Sequence, residues 1–253
     1  MMTRLLDIMA TLRDPQRGCE WDLAQTPETI VPHTIEEAYE VADAVEQNDS
    51  EALRDELGDL LFQVVFQSRI AEEAGTFDFA DVVTAVSDKL EARHPHIFGS
   101  ESLPGGMQEA NWESLKERER AAKGETSAMD GVATALPALL RAEKLQKRAE
   151  RDGFDWGDTM GPSAKLREEI QELAEASIEQ REEEAGDLLF AAVNVVRAYG
   201  IAPETALRRG NAKFERRYRK MEAFADGKFS ALSLEEQEAL WQRAKASETT
   251  AKA

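Results

Sequence analysis

A chain of 253 residues with 42% hydrophobic side chains can bury a real core, and it suits one large or two small domains. The formal net charge of −19 disfavours a general nucleic-acid backbone binder, which needs a basic face. It leaves a nucleotide open as a substrate, because metal ions bridge acidic groups to phosphates. One cysteine, Cys19, excludes an intrachain disulfide framework. Asp7 interrupts any apolar signal-peptide core, and no run approaches the ~18 apolar residues of a membrane span. The expected setting is cytoplasmic, without a membrane or a nucleic-acid polymer as partner.

The pattern is helical from end to end. Leu5, Leu6, Met9 and Leu12 give residues 2–13 one apolar face, and Asp14-Pro15 stops that helix. Residues 18–22 read as loop. Pro32 breaks the next segment, and Thr34 with Glu37 reads as a capping-box start for a helix to about Gln47. Asn48-Asp49-Ser50 opens a long helix to about Ala74, with Leu57, Leu60, Leu61, Val64 and Val65 as its buried face and Gly75 as its C-cap. Another helix spans 78–92 and ends near His94-Pro95. Gly99, Pro104, Gly105 and Gly106 mark a linker, followed by a charged helix around 108–122 and a loop from Gly124 to Gly131. Helices then fit at 136–151, 163–178, 180–199 and 203–225. Ser233 with Glu236 caps a last helix through Trp241, and the tail after Ala246 reads as frayed. The expected organisation is a domain over 1–100, a linker with a charged helix over 101–130, and a second domain over 131–253.

The second half repeats the first. Residues 56–65 and 184–193 are identical at seven of ten positions, at an offset of 128. Gly153-Phe154-Asp155-Trp156 echoes Gly18-Cys19-Glu20-Trp21, and Lys213-Phe214-Glu215-Arg216-Arg217 echoes Lys89-Leu90-Glu91-Ala92-Arg93. So long a period indicates two tandem domains rather than a solenoid.

Within each copy stands E-E-x-x-E, a gap, then E-x-G-D-L-L-F. Glu37 with Glu40, Glu56 with Asp59, Glu169 with Glu172 and Glu184 with Asp187 are all i, i+3 pairs, so each pair shares a helix face. A turn near Ser177–Gln180 would set two such helices antiparallel, with four carboxylates across one groove. Crowded carboxylates repel, and a hard divalent cation such as Mg²⁺ relieves the repulsion while sharing its sphere with phosphates. A lone E-E-x-x-E is ordinarily a solvated face. Its recurrence in register with Gly-Asp-Leu-Leu-Phe is what argues for a site.

With these motifs the chain resembles the MazG family of nucleoside triphosphate pyrophosphohydrolases, over nearly its whole length. The resemblance implies an all-α fold of two tandem MazG-like helical-bundle domains. It implies hydrolysis of NTPs and dNTPs to the monophosphate and pyrophosphate, dependence on Mg²⁺ with Mn²⁺ as a substitute, and a homodimer. It assigns metal binding to Glu169, Glu172, Glu184 and Asp187, and to Glu37, Glu40, Glu56 and Asp59. It makes Glu168 and Glu36 candidates for orienting or deprotonating the water. Phosphate binding would fall to Lys213, Arg216 and Arg217, with Lys89 and Arg93 as the first-half counterparts, and Trp241 could stack on the base. Against these stand ordinary helix ion pairing for the cations and simple packing for the tryptophan.

Other chemistries are poorly supported. Glu91-x-x-His94 resembles half of a di-iron motif, but the second half has no histidine. No P-loop, serine triad, paired C-x-x-C or dinucleotide fingerprint occurs. Two rivals remain: a helical interaction or regulatory protein with silent metal sites, and a narrow hydrolase for dUTP or a phosphoribosyl-nucleotide. The denser cations around Lys213 lead us to expect the second half to carry most of the turnover.

Overall fold

The computed structural model describes residues 2–99, 124 and 126–250. Among them every regular element is helical, and the chain divides into two compact units, Met1–Leu115 and Lys116–Ala253. The expected charged helix at 108–122 and the linker glycines beyond Gly99 lie outside the described residues.

The first unit holds α1 (Met2–Leu12), α2 (Glu20–Ala24), α3 (Pro27–Gln47), α4 (Ser50–Glu73), α5 (Phe79–Arg93) and α6 (Pro95–Phe98). The stretch expected as loop at 18–22 instead turns helical from Glu20. Arg13 is the reason. Its guanidinium is buried, pairs with Glu73 at 2.7 Å, and donates to the carbonyl oxygens of Asp22 at 2.5 Å and Gln25 at 3.3 Å. It thereby ties the end of α1 and the whole of α2 to the end of α4.

Pro32 does not break α3. The helix starts five residues earlier, with Thr26 as N-cap and Thr29 completing the capping box. Thr34, expected as a cap, donates its hydroxyl back to the Ile30 carbonyl at 3.2 Å inside the helix. Proline near the start of a helix removes only one intrahelical donor, and the complete burial of Ile30 holds the extension in place. Asn48 takes the left-handed conformation at φ 55°, and Asp49 caps α4 by accepting from the amides of Glu51 and Ala52. Gly75, at φ 69°, closes α4: its amide bonds the Glu72 carbonyl while the Thr76 amide bonds Ala71, a Schellman arrangement.

The buried face of α4 differs from the expected one. Val65, Phe66 and Ile70 join Met9 and Ile30 in the core, whereas Leu57, Leu61 and Val64 are exposed. Those three lie at i, i+4 and i+7 and form a second apolar stripe that the unit does not cover.

The second unit holds α7 (Ala138–Arg151), α8 (Met160–Glu175), α9 (Arg181–Ala198), α10 (Pro203–Ala225), a 3₁₀ turn at Phe229–Ala231 and α11 (Leu234–Thr250). A turn at Ser177–Gln180 sets α8 and α9 against each other as antiparallel neighbours. Pro203 occupies the first turn of α10. The Ser233–Glu236 capping box forms, with the Ser233 amide donating to Glu236 at 2.7 Å. The last helix runs past Ala246 to Thr250 instead of fraying. Glu248 accepts from Arg216 at 2.9 Å and Arg217 at 2.8 Å on α10, and Ala244 is fully buried beneath.

Replacing Arg13 by Met should lower unfolding stability by about 2–3 kcal/mol, because two carbonyls and a half-buried carboxylate lose their donor together. A urea midpoint indistinguishable from wild type would refute the tie.

Candidate metal centre and adjoining cavity

In the first unit, Glu37 on α3 and Glu56 and Asp59 on α4 each direct a carboxylate oxygen to one place, all within 4.8 Å of one another. Glu40, one turn after Glu37, stands within hydrogen-bonding reach of both Glu37 and Glu56. Burial, then the charges of Asp59, Glu40 and Glu36, raises the Glu37 carboxyl above its ordinary value. Burial and the neighbouring Glu40 do the same to Glu56. Glu36 turns away to solvent, 3.6 Å from the Nδ1 of His33.

The second unit repeats the plan on α8 and α9, where Glu169, Glu172 and Glu184 converge within 4.8 Å. Asp187, on the same face of α9 as Glu184, lines the cavity beside them together with Glu169. Each half thus gathers three of its four expected carboxylates most tightly, and the outlying one differs: Glu40 in the first, Asp187 in the second.

Glu169 is the informative residue. It is only 4% exposed; one oxygen accepts from Lys165 at 2.8 Å and the other, Oε2, is buried with no partner. A desolvated carboxylate oxygen without a donor is costly unless a cation meets it. All-oxygen, anionic donors at this spacing fit a hard divalent ion. Burial raises Glu172 as well, against the lowering effect of Lys165 and with the support of Glu169.

Lys165 was not anticipated. Its ammonium sits 2.6 Å from Glu168, 2.8 Å from Glu169 and 3.9 Å from Glu172. The hydrogen bonds it donates to Glu168 and then Glu169 push its pKa upward, so it stays charged. The signal was present in the spacing: a cation at i−4 from Glu169 falls on the same helix face. Three residues before the first glutamate of the other motif stands His33. Glu168 is therefore engaged by a lysine and Glu36 by a histidine.

Beside the second carboxylate set opens a cavity of 720 Å³. Glu169, Asp187 and Lys165 line it together with Trp156, Phe190 and Asn194. Trp156 packs against the first turn of α8, where a Cβ on Gly161 would fall 2.2 Å from its ring. Asp158 caps that turn by accepting from the amides of Met160 and Gly161. Gln146, also in the lining, donates from Nε2 to the Phe190 carbonyl at 2.8 Å, leaving Oε1 buried and unpartnered. Arg197 is clamped by Glu150 at 2.5 Å and by Asp155, and donates to the Asn194 Oδ1 at 2.8 and 3.1 Å. Asn194 stands seven residues after Asp187, two turns along one face of α9. That spacing could have flagged it.

The cations expected at the phosphates do not line this cavity. Arg216 and Arg217 pair with Glu248, and Arg217 also covers the ring of Trp241 at 5.4 Å. Trp241 packs 5.6 Å from Phe214, and neither it nor Lys213, Arg216 or Arg217 lines the cavity. Lys213 is exposed on α10. In the first unit Lys89 is exposed, and Arg93 is the half-buried last residue of α5.

The comparisons with known proteins agree with this architecture. The profile of the MazG nucleotide pyrophosphohydrolase domain matches twice, at residues 25–98 and 162–221, so each match contains one carboxylate set. A nucleoside triphosphate pyrophosphohydrolase of Escherichia coli is 49% identical over 256 residues, covering 97% of each chain. A nucleoside triphosphate pyrophosphohydrolase/pyrophosphatase MazG of Thermotoga maritima is 40% identical over 254 residues, covering 99% of this chain and 98% of the relative. A nucleoside triphosphate pyrophosphohydrolase of Mycolicibacterium smegmatis is 38% identical over 153 residues, or 60% of this chain and 47% of its own. With both halves matched and full-length relatives at this identity, the chain belongs to the MazG family of nucleotide pyrophosphohydrolases.

Proposed function

We infer that the protein hydrolyses NTPs and dNTPs to NMP or dNMP plus pyrophosphate, using Mg²⁺ or Mn²⁺ held by the carboxylates. The observation that carries this is Glu169, with its buried unpartnered oxygen, in the lining of a 720 Å³ cavity. Glu169, Glu172, Glu184 and Asp187 hold the metal in the second unit, and Glu37, Glu40, Glu56 and Asp59 in the first. When bound, the ion polarises phosphoryl oxygens and lowers the pKa of its water.

The chain's own residues do the rest. The nucleoside enters the cavity between Trp156 and Phe190, placing the triphosphate over the carboxylates. Lys165 is already charged and reaches that point, so it can turn from the glutamates to a phosphate oxygen once a metal neutralises them. That release frees Glu168 to orient water and accept its proton as the α–β anhydride bond breaks. Lys213, Arg216 and Arg217, with Lys89 and Arg93 in the first unit, serve as outer attraction for the polyanion, and Trp241 as their support. A homodimer is the expected assembly. The exposed stripe of Leu57, Leu61 and Val64 supports it, as do exposed Ile170 and Leu189 in the second unit. No single described helix is long and apolar enough to cross a membrane.

Purified protein incubated with each NTP and dNTP should release pyrophosphate and the monophosphate, and EDTA should abolish it. Orthophosphate with the diphosphate as products would refute the reading. Glu172→Gln and Asp187→Asn should each lower kcat/KM by about 100-fold or more, since metal stabilisation of the transition state is worth several kcal/mol. Full turnover in both variants at ordinary Mg²⁺ would overturn the ligand assignment.

The raised carboxyls make a separate test. A carboxyl raised on folding binds protons that the unfolded chain has released, so it opposes folding as pH climbs past the ordinary glutamate range and through the raised one. In EDTA, the double variant Glu37→Gln, Glu172→Gln should therefore melt above wild type at pH 7.5, with a smaller gain at pH 5. Saturating Mg²⁺ should reverse the order, because only ionised carboxylates bind it. An equal gain at both pH values would contradict the repulsion.

A further inference from the structure

We propose that Arg197 is a positioning residue for the nucleoside. Its guanidinium sets the Asn194 amide and the Asp155–Trp156 segment, so that a base meets one prepared arrangement. This rests on the reading above, in which the nucleoside enters the cavity beside Trp156.

Arg197 stands near the end of α9 with only 7% of its side chain exposed. All three guanidinium nitrogens are engaged. Nη1 pairs at 2.5 Å with Glu150, near the end of α7, and Nη2 pairs with Asp155. Nε and Nη2 both donate to the Asn194 Oδ1, at 3.1 and 2.8 Å. A planar fork can fix partners from three segments at once, which the single point charge of a lysine cannot. The other oxygen of Asp155 accepts from the Gly157 amide at 3.1 Å, and Gly157 turns the chain at φ 71°. Trp156 stands between these two tied residues.

Asp155, Trp156, Asn194 and Arg197 all line the cavity. Two carboxylates neutralise the guanidinium, so it acts through the residues it holds rather than on phosphate directly. A guanidinium only donates, so it draws the Asn194 oxygen to itself and leaves the NH₂ as the group that amide offers. Gln146, also in the lining, has Nε2 held by the Phe190 carbonyl and Oε1 buried without a partner. A fixed donor and a fixed acceptor beside the Trp156 ring suit the polar edge and the face of a base.

The fork serves the base end of the site and not the carboxylates. Asn194 lies two turns beyond Asp187, about 10 Å of helix rise. In the first unit the residue at the offset of 128 is Arg69, which pairs with Glu72 at 3.0 Å and Glu73 at 2.9 Å on its own helix. Glu37, Glu56 and Asp59 converge there all the same. The buried arginine of that unit, Arg13, holds Glu73 and two backbone carbonyls instead.

The test is calorimetric titration of the full-length chain, in Mg²⁺, with α,β-imido dATP, a nucleotide that is not cleaved, and with inorganic tripolyphosphate, which lacks the nucleoside. Arg197→Lys should weaken nucleotide binding by about 10-fold or more and tripolyphosphate binding by less than about twofold. In steady state KM for dATP should rise to match while kcat stays within about twofold, because contacts to the base are the same in the ground and transition states. If that variant is unfolded by circular dichroism, Asp155→Ala, which frees the Trp156 segment, takes its place with the same expectations. Nucleotide affinity equal to wild type in a folded variant overturns the proposal. So does an equal loss for nucleotide and tripolyphosphate, the result of a merely structural role. A wild type that binds the analogue yet releases no pyrophosphate from dATP refutes the hydrolase reading alone, and the two affinities still decide the role of Arg197. A wild type that binds no analogue refutes both.

Discussion

The structure is governed by like charge confined between antiparallel helices. Each half brings carboxylates from two helices to within 4.8 Å of one another, beside the apolar run of the second helix. Water cannot fully screen charges held there, so the ordinary form of each group is disfavoured and Glu37, Glu56 and Glu172 all titrate upward. The fold accepts this instability at the site and offsets it elsewhere, through the Arg13 tie in the first unit and the Arg197 clamp in the second. The two halves differ in which cationic side chain stands near the carboxylates.

That difference runs through the site. In the second unit Lys165 lies among the glutamates as a tethered positive charge. In the first, His33 reaches only Glu36, from 3.6 Å. The same repeat that places the carboxylates alike matches Phe66, buried in the core, with Asn194 in the wall of the cavity. Duplication preserved the convergence of the carboxylates while the adjoining space diverged. The denser cations of α10 are partly engaged within the unit, since Arg216 and Arg217 pair with Glu248.

Much of this could be read before any coordinates. The helical class follows from apolar spacing, and the antiparallel pairing of α8 and α9 from the turn at Ser177–Gln180. Helix starts that depend on a local hydrogen bond were legible at Asp49 and Ser233, because capping needs only residues three apart. The start of α3 was not. Thr26 and Thr34 are both competent caps, and the choice was made by burial of Ile30 against α1 and α4, which no local pattern encodes. The buried face of α4 failed for a related reason. The helix carries two apolar stripes, and which one turns inward depends on the partners, here Met9 and Ile30.

The site divides along the same line. Residue type and i, i+3 spacing are chemical facts of the chain, and they suffice to mark paired carboxylates, their doubling and the hard cation they call for. Burial is not such a fact. That Glu169 keeps an oxygen from water, that Lys165 folds back onto it, and that Asn194 lines a cavity while Phe66 joins the core, all depend on helices distant in sequence meeting at a particular depth. Sequence period specifies which side chains share a face; only packing sets what that face meets, and desolvation by what it meets is what distinguishes these glutamates from a solvated row.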